Sequence, residues 1–149
     1  MHFFVGVIIP NMDNVQNSVE TLLEPYNEND DSNKETHWDW WEVGGRWDGV
    51  LKGEEKYSKV LPHHIHTTEG NIVKISEFLE LEGIDERLRE TINKMLNKDT
   101  VMPYAIVSAE EGWIEGDGEI EHYKEWEKEA IKILKRNKDK YLVCVDCHV

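Results

Sequence analysis

Residues 3–9 read Phe3-Phe4-Val5-Gly6-Val7-Ile8-Ile9, an almost unbroken apolar run that ends at Pro10. A short apolar run bounded by a helix-breaking residue predicts a strand that is buried on both faces. The C-terminal segment has the same character, since residues 141–146 read Tyr-Leu-Val-Cys-Val-Asp. These are the two most apolar of the predicted strands, and we therefore expect both to lie inside the sheet.

Between these strands, apolar spacing and turn residues predict the remaining elements. A helix is expected after a cap at Asp13 or Asn14 and before Pro25, with an apolar face made of Val15, Val19, Leu22 and Leu23. A polar, turn-rich loop is predicted at 27–36. The other predicted elements are, in order, a short strand in the second half of 37–51, a loop over 52–70, weak helical patterns at 72–81 and 85–96, a strand at 104–107, a turn at 110–112 and a helix near 120–137.

This order of elements predicts one α+β domain over residues 1–149, with a loop and helical insertion at about residues 52–100. The two strand–helix–strand halves are typical of a ferredoxin-like sandwich, in which the helices pack on one face of a mainly antiparallel sheet. The length of 149 residues fits one domain with a substantial core.

Composition excludes several classes of partner. The chain has 31 acidic residues against 17 Lys and Arg, a formal net charge of -14, so we expect no duplex nucleic acid and no anionic membrane as a partner. No apolar run approaches the roughly 20 residues of a membrane helix. The start lacks the features of a signal peptide, and two cysteines cannot form a disulfide scaffold. These observations predict a cytoplasmic protein, and no cofactor is expected.

The strongest local signal is a dense aromatic segment, in which four of the six tryptophans fall within ten residues: Trp38, Trp40, Trp41 and Trp47. On an extended segment, Trp38 and Trp40 would share one face. Aromatic planes stack on bases at about 1–3 kcal/mol each. The Arg46 guanidinium and the amides of Gly44 and Gly45 suit a phosphate or carboxylate. The segment therefore predicts a pocket for a small, flat, anionic ligand. The alternative is a corner of the core, with Arg46 stacked on a ring or paired to Asp39 or Asp48.

A second signal is the C-terminal sequence Cys144-Val145-Asp146-Cys147-His148. Its Cys-x-x-Cys-His pattern is that of c-type haem attachment, but the chain lacks an export signal and the motif falls on a predicted strand. Because side chains alternate along a strand, Cys144, Asp146 and His148 would share one face and Cys147 the other. Asp146 and His148 are therefore candidate catalytic or ligand-binding residues. The alternative is a buried thiol with Asp146 accepting a loop hydrogen bond.

Three histidines in the predicted loop over 52–70 raise the question of a metal site. His64 and His66 are weak candidates, because alternating histidines on a strand can bind Zn²⁺. No further ligand is identifiable nearby, and a charged loop with several histidines is more often solvated. We therefore predict no metal.

Three groups of residues together carry a resemblance: Trp38-Asp39-Trp40-Trp41 with Gly44-Gly45-Arg46-Trp47, residues 103–107 before Gly112-Trp113, and Val145-Asp146-Cys147-His148-Val149. In these the chain resembles a group of small proteins of phages, prophages and some bacteria, actinobacteria among them, that has no assigned activity. The similarity skips residues 52–100. It implies that the tryptophan segment, Trp113 and the Asp146/His148 end belong to one unit. Residues 116–118 have fewer aromatic neighbours here than is typical of the group. As a small, acidic chain with a predicted pocket of aromatic residues and Arg46, it is also similar in type to phage counter-defence proteins that sequester or cleave nucleotide immune signals.

The leading hypothesis is a non-catalytic protein that binds a small nucleotide-like ligand, in the host cytoplasm if it is phage-encoded. Trp38, Trp40, Trp41, Trp47 and Trp113 would supply rings around the ligand. Arg46 with Gly44 and Gly45 would bind the anionic group, and Asp146 or His148 would contact hydroxyls or base edges.

Two alternatives remain open. One is a hydrolase or phosphodiesterase that uses His148 with Asp146, or a metal held by His64 and His66. The other is an acidic interaction module whose charge imitates nucleic acid. The sequence leaves a homo-oligomer open as well.

Overall fold

The computed structural model describes residues 1–49, 51, 69–80, 105–117 and 119–149. Its strands are β1 (His2–Ile9), β2 (Trp40–Val43), β3 (Ile72–Lys74), β4 (Ala105–Ser108), β5 (Gly112–Glu115) and β6 (Tyr141–His148). Its α-helices are α1 (Val15–Leu23), α2 (Ile75–Glu80) and α3 (Tyr123–Arg136). Short 3-10 turns occur at Glu24–Tyr26, Gly45–Trp47, Glu69–Asn71 and Ile120–His122. Within these ranges, no helix has the length and hydropathy required to span a membrane.

The described strands form one sheet in the order β2-β6-β1-β4-β5. β1 pairs antiparallel with β6 over its whole length and parallel with β4, and β4 and β5 form an antiparallel hairpin. Two short strands share the outer edge of β6, with β3 beside its N-terminal half and β2 beside its C-terminal half. The predicted α+β class and the mainly antiparallel sheet are confirmed, and the parallel β1–β4 pair makes the sheet mixed.

The two apolar termini form the centre of this sheet, as the sequence predicts. Every residue of β1 from Phe3 to Ile9 is buried, and so is every residue of β6 from Leu142 to Cys147. Burial on both faces explains why these segments are apolar at nearly every position rather than at alternate positions.

The helices close over the sheet with the apolar faces that their spacing predicts. α1 buries Val15, Val19 and Leu23, and the Asn14 side chain caps it by accepting the amide of Asn17 at 3.2 Å. The buried residues of α3 are Trp126, Glu127, Ala130, Ile133 and Leu134. Two exposed ion pairs, Arg136 with Glu111 and Lys140 with Glu110, join the end of α3 to the β4–β5 turn.

Two predicted boundaries were wrong. The short strand predicted in the second half of the segment 37–51 lies earlier, at Trp40–Val43, before the two glycines. The second half of the segment contains a 3-10 turn at Gly45–Trp47 instead. The pattern at 72–81 begins as β3, because Ile72 pairs with Val143 of β6 and only the residues from Ile75 onward turn into a helix. Pairing with the edge of β6 therefore outweighs the weak helical spacing of residues 72–74. The helix at 85–96, most of the 52–70 loop and the candidates His64 and His66 lie outside the described residues.

The two cysteines of β6 are buried and lie on opposite faces of the sheet, as the predicted alternation requires. Burial raises the pKa of both the Cys144 and Cys147 thiols, and the nearby Asp146 carboxylate raises each pKa further. A thiol that stays protonated is a poor nucleophile and a poor metal ligand.

We therefore predict that neither cysteine of the folded protein reacts with iodoacetamide at pH 8, and that both react once the chain is denatured. Intact mass measured over time reports the alkylation. A Thr36→Cys variant is the positive control, since residue 36 is exposed and its thiol should be labelled at once. Rapid labelling of the wild-type protein under native conditions would contradict the buried positions.

Candidate functional site

The candidate site lies at the edge of the sheet where β1 begins and β6 ends. The pairing register places His2 directly opposite His148, and places Trp40 on the other side of His148. Directly paired residues project from the same face, so these three side chains form a row across three strands. They line an open cleft of about 460 Å³ together with Asn29 and Asp39. A volume of this size is within the range of small-molecule sites.

Each of the two imidazoles is hydrogen-bonded to its own carboxylate. His2 Nδ1 lies 2.9 Å from Asp146 Oδ1, and His148 Nδ1 lies 2.7 Å from Asp39 Oδ1. A carboxylate can only accept, so each ring donates through Nδ1–H and the lone pair of the neutral ring is on Nε2. Neither Nε2 has a hydrogen-bond partner among the described residues. The ring centroids are 4.9 Å apart at an angle of 69°.

Asp146 is the buried member of this arrangement, with only 1% of its surface exposed. Its Oδ2 accepts the backbone amide of Arg46 at 2.9 Å, while its Oδ1 bonds to His2. Both carboxylate oxygens are therefore satisfied, as a charge removed from water requires. Asp146 in turn fixes the position of the His2 ring.

Asp39 is held by its backbone rather than by burial. Its amide donates to His148 O at 2.8 Å, and its carbonyl accepts the Asn29 side-chain amide at 2.8 Å. Asn29 belongs to the loop predicted at 27–36, so this loop forms one wall of the cleft and positions the partner of His148.

The glycine pair has a steric role. Gly44 and Gly45 have φ angles of 81° and 53°, in the left-handed region that favours glycine. A Cβ on Gly45 would lie 2.3 Å from Asp146 Cβ, and one on Gly44 would lie 2.6 Å from Asn71 Nδ2. The Gly44 amide, one of the predicted anion donors, is bonded to Cys144 O at 2.9 Å. The pair thus permits the turn to approach β6 closely enough for the Arg46 amide to reach Asp146.

Asn71 also stabilises the turn that carries Arg46. The Asn71 side chain is fully buried, donates to Asp48 Oδ1 at 2.6 Å and accepts the Gly49 amide at 3.0 Å. The Arg46 side chain itself is exposed. Asp39, an alternative partner for Arg46 in the sequence, bonds to His148 instead.

The structure separates the predicted tryptophan cluster. Trp40 is 45% exposed and lines the cleft. Trp38 is buried and donates its indole N–H to Leu23 O at 2.8 Å. Because β2 begins only at Trp40, Trp38 lies outside the strand, and the Trp38 and Trp40 rings do not share a face. Trp47 is buried in the core, and Trp41 is half-buried and packs against the core.

Trp113 lies on the opposite face of the sheet from the cleft. The register pairs it with Val107, which pairs with Val7, so its ring projects away from His2 and His148. It stacks on His37 with centroids 4.4 Å apart and planes 5° from parallel, and it contacts Phe3 edge-on. Trp113 therefore belongs to a separate aromatic group with Tyr26 and His37.

Of the predicted site residues, the structure brings Trp40 and His148 to the cleft and places Asp146 behind it, bonded to His2. Sequence reasoning missed His2, Asn29 and Asp39. Their signals were present but weak: His2 is a polar residue at the start of an apolar strand, and Asp39 precedes Trp40 directly. Asp146 and His148 have different partners because residues two apart on a strand are farther from each other than cross-strand neighbours.

No group of three or more His, Cys, Asp or Glu side chains in the described ranges is placed to hold a metal ion. Comparison of the chain with known protein families, curated proteins and solved structures finds no match.

The close approach of Gly45 to Asp146 generates a stability prediction. Gly45→Ala should lower the free energy of unfolding by about 2–5 kcal/mol, because it adds left-handed backbone strain and a clash between the new methyl group and the Asp146 side chain. Urea denaturation followed by tryptophan fluorescence measures the loss.

Gly112→Ala is the matched control. Gly112 also has a positive φ, 69°, but its Cβ would meet only the Tyr26 hydroxyl, at 2.9 Å, the end of a side chain that can shift. It should cost about 1–2 kcal/mol. Equal losses for the two variants would show that the contact with Asp146 adds nothing to the backbone strain.

Proposed function

We propose that this protein binds a small nucleotide-like ligand in the cleft lined by His2, Asn29, Asp39, Trp40 and His148. The observation that carries the proposal is the exposed Trp40 ring beside a row of hydrogen-bonding side chains in a cleft of about 460 Å³. An exposed indole next to convergent polar groups suits a ligand with a flat ring and a polar remainder.

Each part of such a ligand has a matching group. The base stacks on Trp40, and the imidazoles bond to ribose hydroxyls or to a base edge. The two imidazole Nε2 atoms suit a phosphate oxygen when they are protonated, since a charged N–H donates to phosphate strongly. Arg46 is exposed on the turn whose amide bonds to Asp146, and its guanidinium would be a further cation for the anionic group of the ligand.

The biological setting that fits this chemistry is sequestration or processing of a nucleotide signal by a phage-type protein. The support is the resemblance in the tryptophan segment and the C-terminal end, together with the net charge of -14, which disfavours duplex nucleic acid as the ligand.

The proposal predicts that Trp40→Ala weakens nucleotide binding while the fold is retained. Loss of about 1–3 kcal/mol of stacking corresponds to an increase in Kd of about 5- to 150-fold. The probes are nucleoside monophosphates and 3′,5′-cyclic mononucleotides. Thermal shift and native mass spectrometry measure binding, and circular dichroism verifies the fold.

Trp113→Ala is the matched control, because this tryptophan is also partly exposed but lies on the opposite face of the sheet. It should leave the Kd unchanged. If no nucleotide raises the melting temperature of the wild-type protein, or if the two variants weaken binding equally, the proposed site is wrong.

A further inference from the structure

We infer that the cleft also cleaves ribonucleotide phosphodiesters, with His2 and His148 as a general acid–base pair. The substrate class is a phosphodiester that has a free 2′-hydroxyl beside the scissile phosphate. This inference rests on the proposed nucleotide binding and adds a reaction to it. It comes from the pairing of His2 with His148 across two strands. The sequence motif around Asp146 and His148 contains only one of these two imidazoles.

The first argument is the orientation of the two rings. Both are fixed through Nδ1 to a carboxylate, at 2.9 Å for His2 and 2.7 Å for His148. A carboxylate on Nδ1 selects the tautomer in which Nε2 accepts a proton, and it stabilises the imidazolium that forms. Each histidine is therefore prepared to act as a base when neutral and as an acid when protonated.

The second argument is the placement of the rings relative to each other. They come from directly paired positions on two hydrogen-bonded strands, their centroids are 4.9 Å apart, and both line the same cleft. Cleavage of a phosphodiester needs one group to remove a proton from the attacking oxygen and another to give a proton to the leaving oxygen. Two imidazoles at neighbouring positions of one cleft can supply both groups to the same bound phosphate.

The third argument concerns the nucleophile. Among the residues that the structure describes, the side chains that line the cleft belong to two histidines, an asparagine, an aspartate and a tryptophan, and they include no hydroxyl or thiol. A 2′-hydroxyl of the substrate is held next to the phosphorus by the substrate itself, so its attack has the advantage of an intramolecular reaction.

The step balances without a co-reactant. The neutral imidazole removes the proton of the 2′-hydroxyl while the 2′-oxygen forms a bond to phosphorus. The bond from phosphorus to the 5′-oxygen breaks, and the imidazolium gives its proton to that oxygen. The products are a 2′,3′-cyclic phosphate and a free 5′-hydroxyl. A nucleoside monophosphate has no phosphodiester bond and should be recovered unchanged.

Asp39 acts as a positioning residue in this reaction, because it touches His148 rather than the reacting atoms. Asp146 has the same relation to His2, but it is buried in the sheet and its replacement would disturb the fold. Asp39, which is partly exposed, is therefore the residue to test.

The experiment compares the ribodinucleotide UpA with its 2′-deoxy counterpart. Wild-type protein should convert UpA to uridine 2′,3′-cyclic phosphate and adenosine, as detected by liquid chromatography with mass spectrometry, and should bind the 2′-deoxy compound without cleaving it. His2→Gln and His148→Gln should each reduce the cleavage rate by about 10²- to 10⁴-fold, a much larger factor than the one by which they weaken binding of the 2′-deoxy compound. Asp39→Asn should lower kcat by about tenfold or more with little change in KM.

His122→Gln is the matched control. His122 also bonds to a carboxylate, that of Asp117, but both side chains are about half exposed and neither residue lines the cleft. The variant should cleave UpA at the wild-type rate, and all variants should keep the wild-type circular dichroism spectrum.

The outcomes separate the two proposals. If the 2′-deoxy compound binds but UpA stays intact, the catalytic inference is overturned and the binding function stands. If neither compound binds, UpA stays intact and no mononucleotide raises the melting temperature, both proposals fail. Cleavage that continues at the wild-type rate in His2→Gln and His148→Gln would come from a contaminating nuclease, and it would also overturn the inference.

Discussion

A carboxylate buried in a sheet must have partners for both oxygens, and the site of this protein depends on how Asp146 meets that requirement. An unpaired charge in such a position costs several kcal/mol. Asp146 is satisfied by a ring from β1 and by an amide from the Gly45–Trp47 turn. One buried group therefore joins the central strand to an imidazole on one side and to the turn that carries Arg46 on the other.

The pairing of β1 with β6 gives this requirement its geometry. The two strands pair along eight positions, from His2 opposite His148 to Ile9 opposite Tyr141. A slip of one residue would move every side chain of β1 to the other face. Asp146 Oδ1 would then lose the His2 ring, and apolar side chains of β1 would face the cleft. The apolar pattern and the buried carboxylate thus specify the same register.

The sequence was a good guide to the central strands, to α1 and to the α+β class, because those follow from local spacing and from burial. It was a weaker guide to the site. His2 and His148 are 146 positions apart, and only the antiparallel register brings them together. The tryptophan cluster misled for a related reason: closeness in sequence suggested one pocket, but Trp38 and Trp47 turn into the core while Trp40 stays exposed. The start of β2 at Trp40 separates Trp38 from Trp40, and the turn set by Gly44 and Gly45 separates Trp47 from Trp40.

The charge of the cleft limits the ways in which this protein would recognise the proposed nucleotide ligand. Asp39 and Asp146 each contribute one negative charge, and His2 and His148 each contribute one positive charge only when protonated. The four groups together therefore range from two negative charges to none, so the cleft does not attract anions by an excess of positive charge. Affinity has to come from stacking on Trp40 and from directed hydrogen bonds, both of which act at contact distance. Such recognition favours a small ligand whose ring and hydroxyls fit the cleft, and it gives no advantage to a duplex, whose binding depends on many phosphate contacts with Lys and Arg.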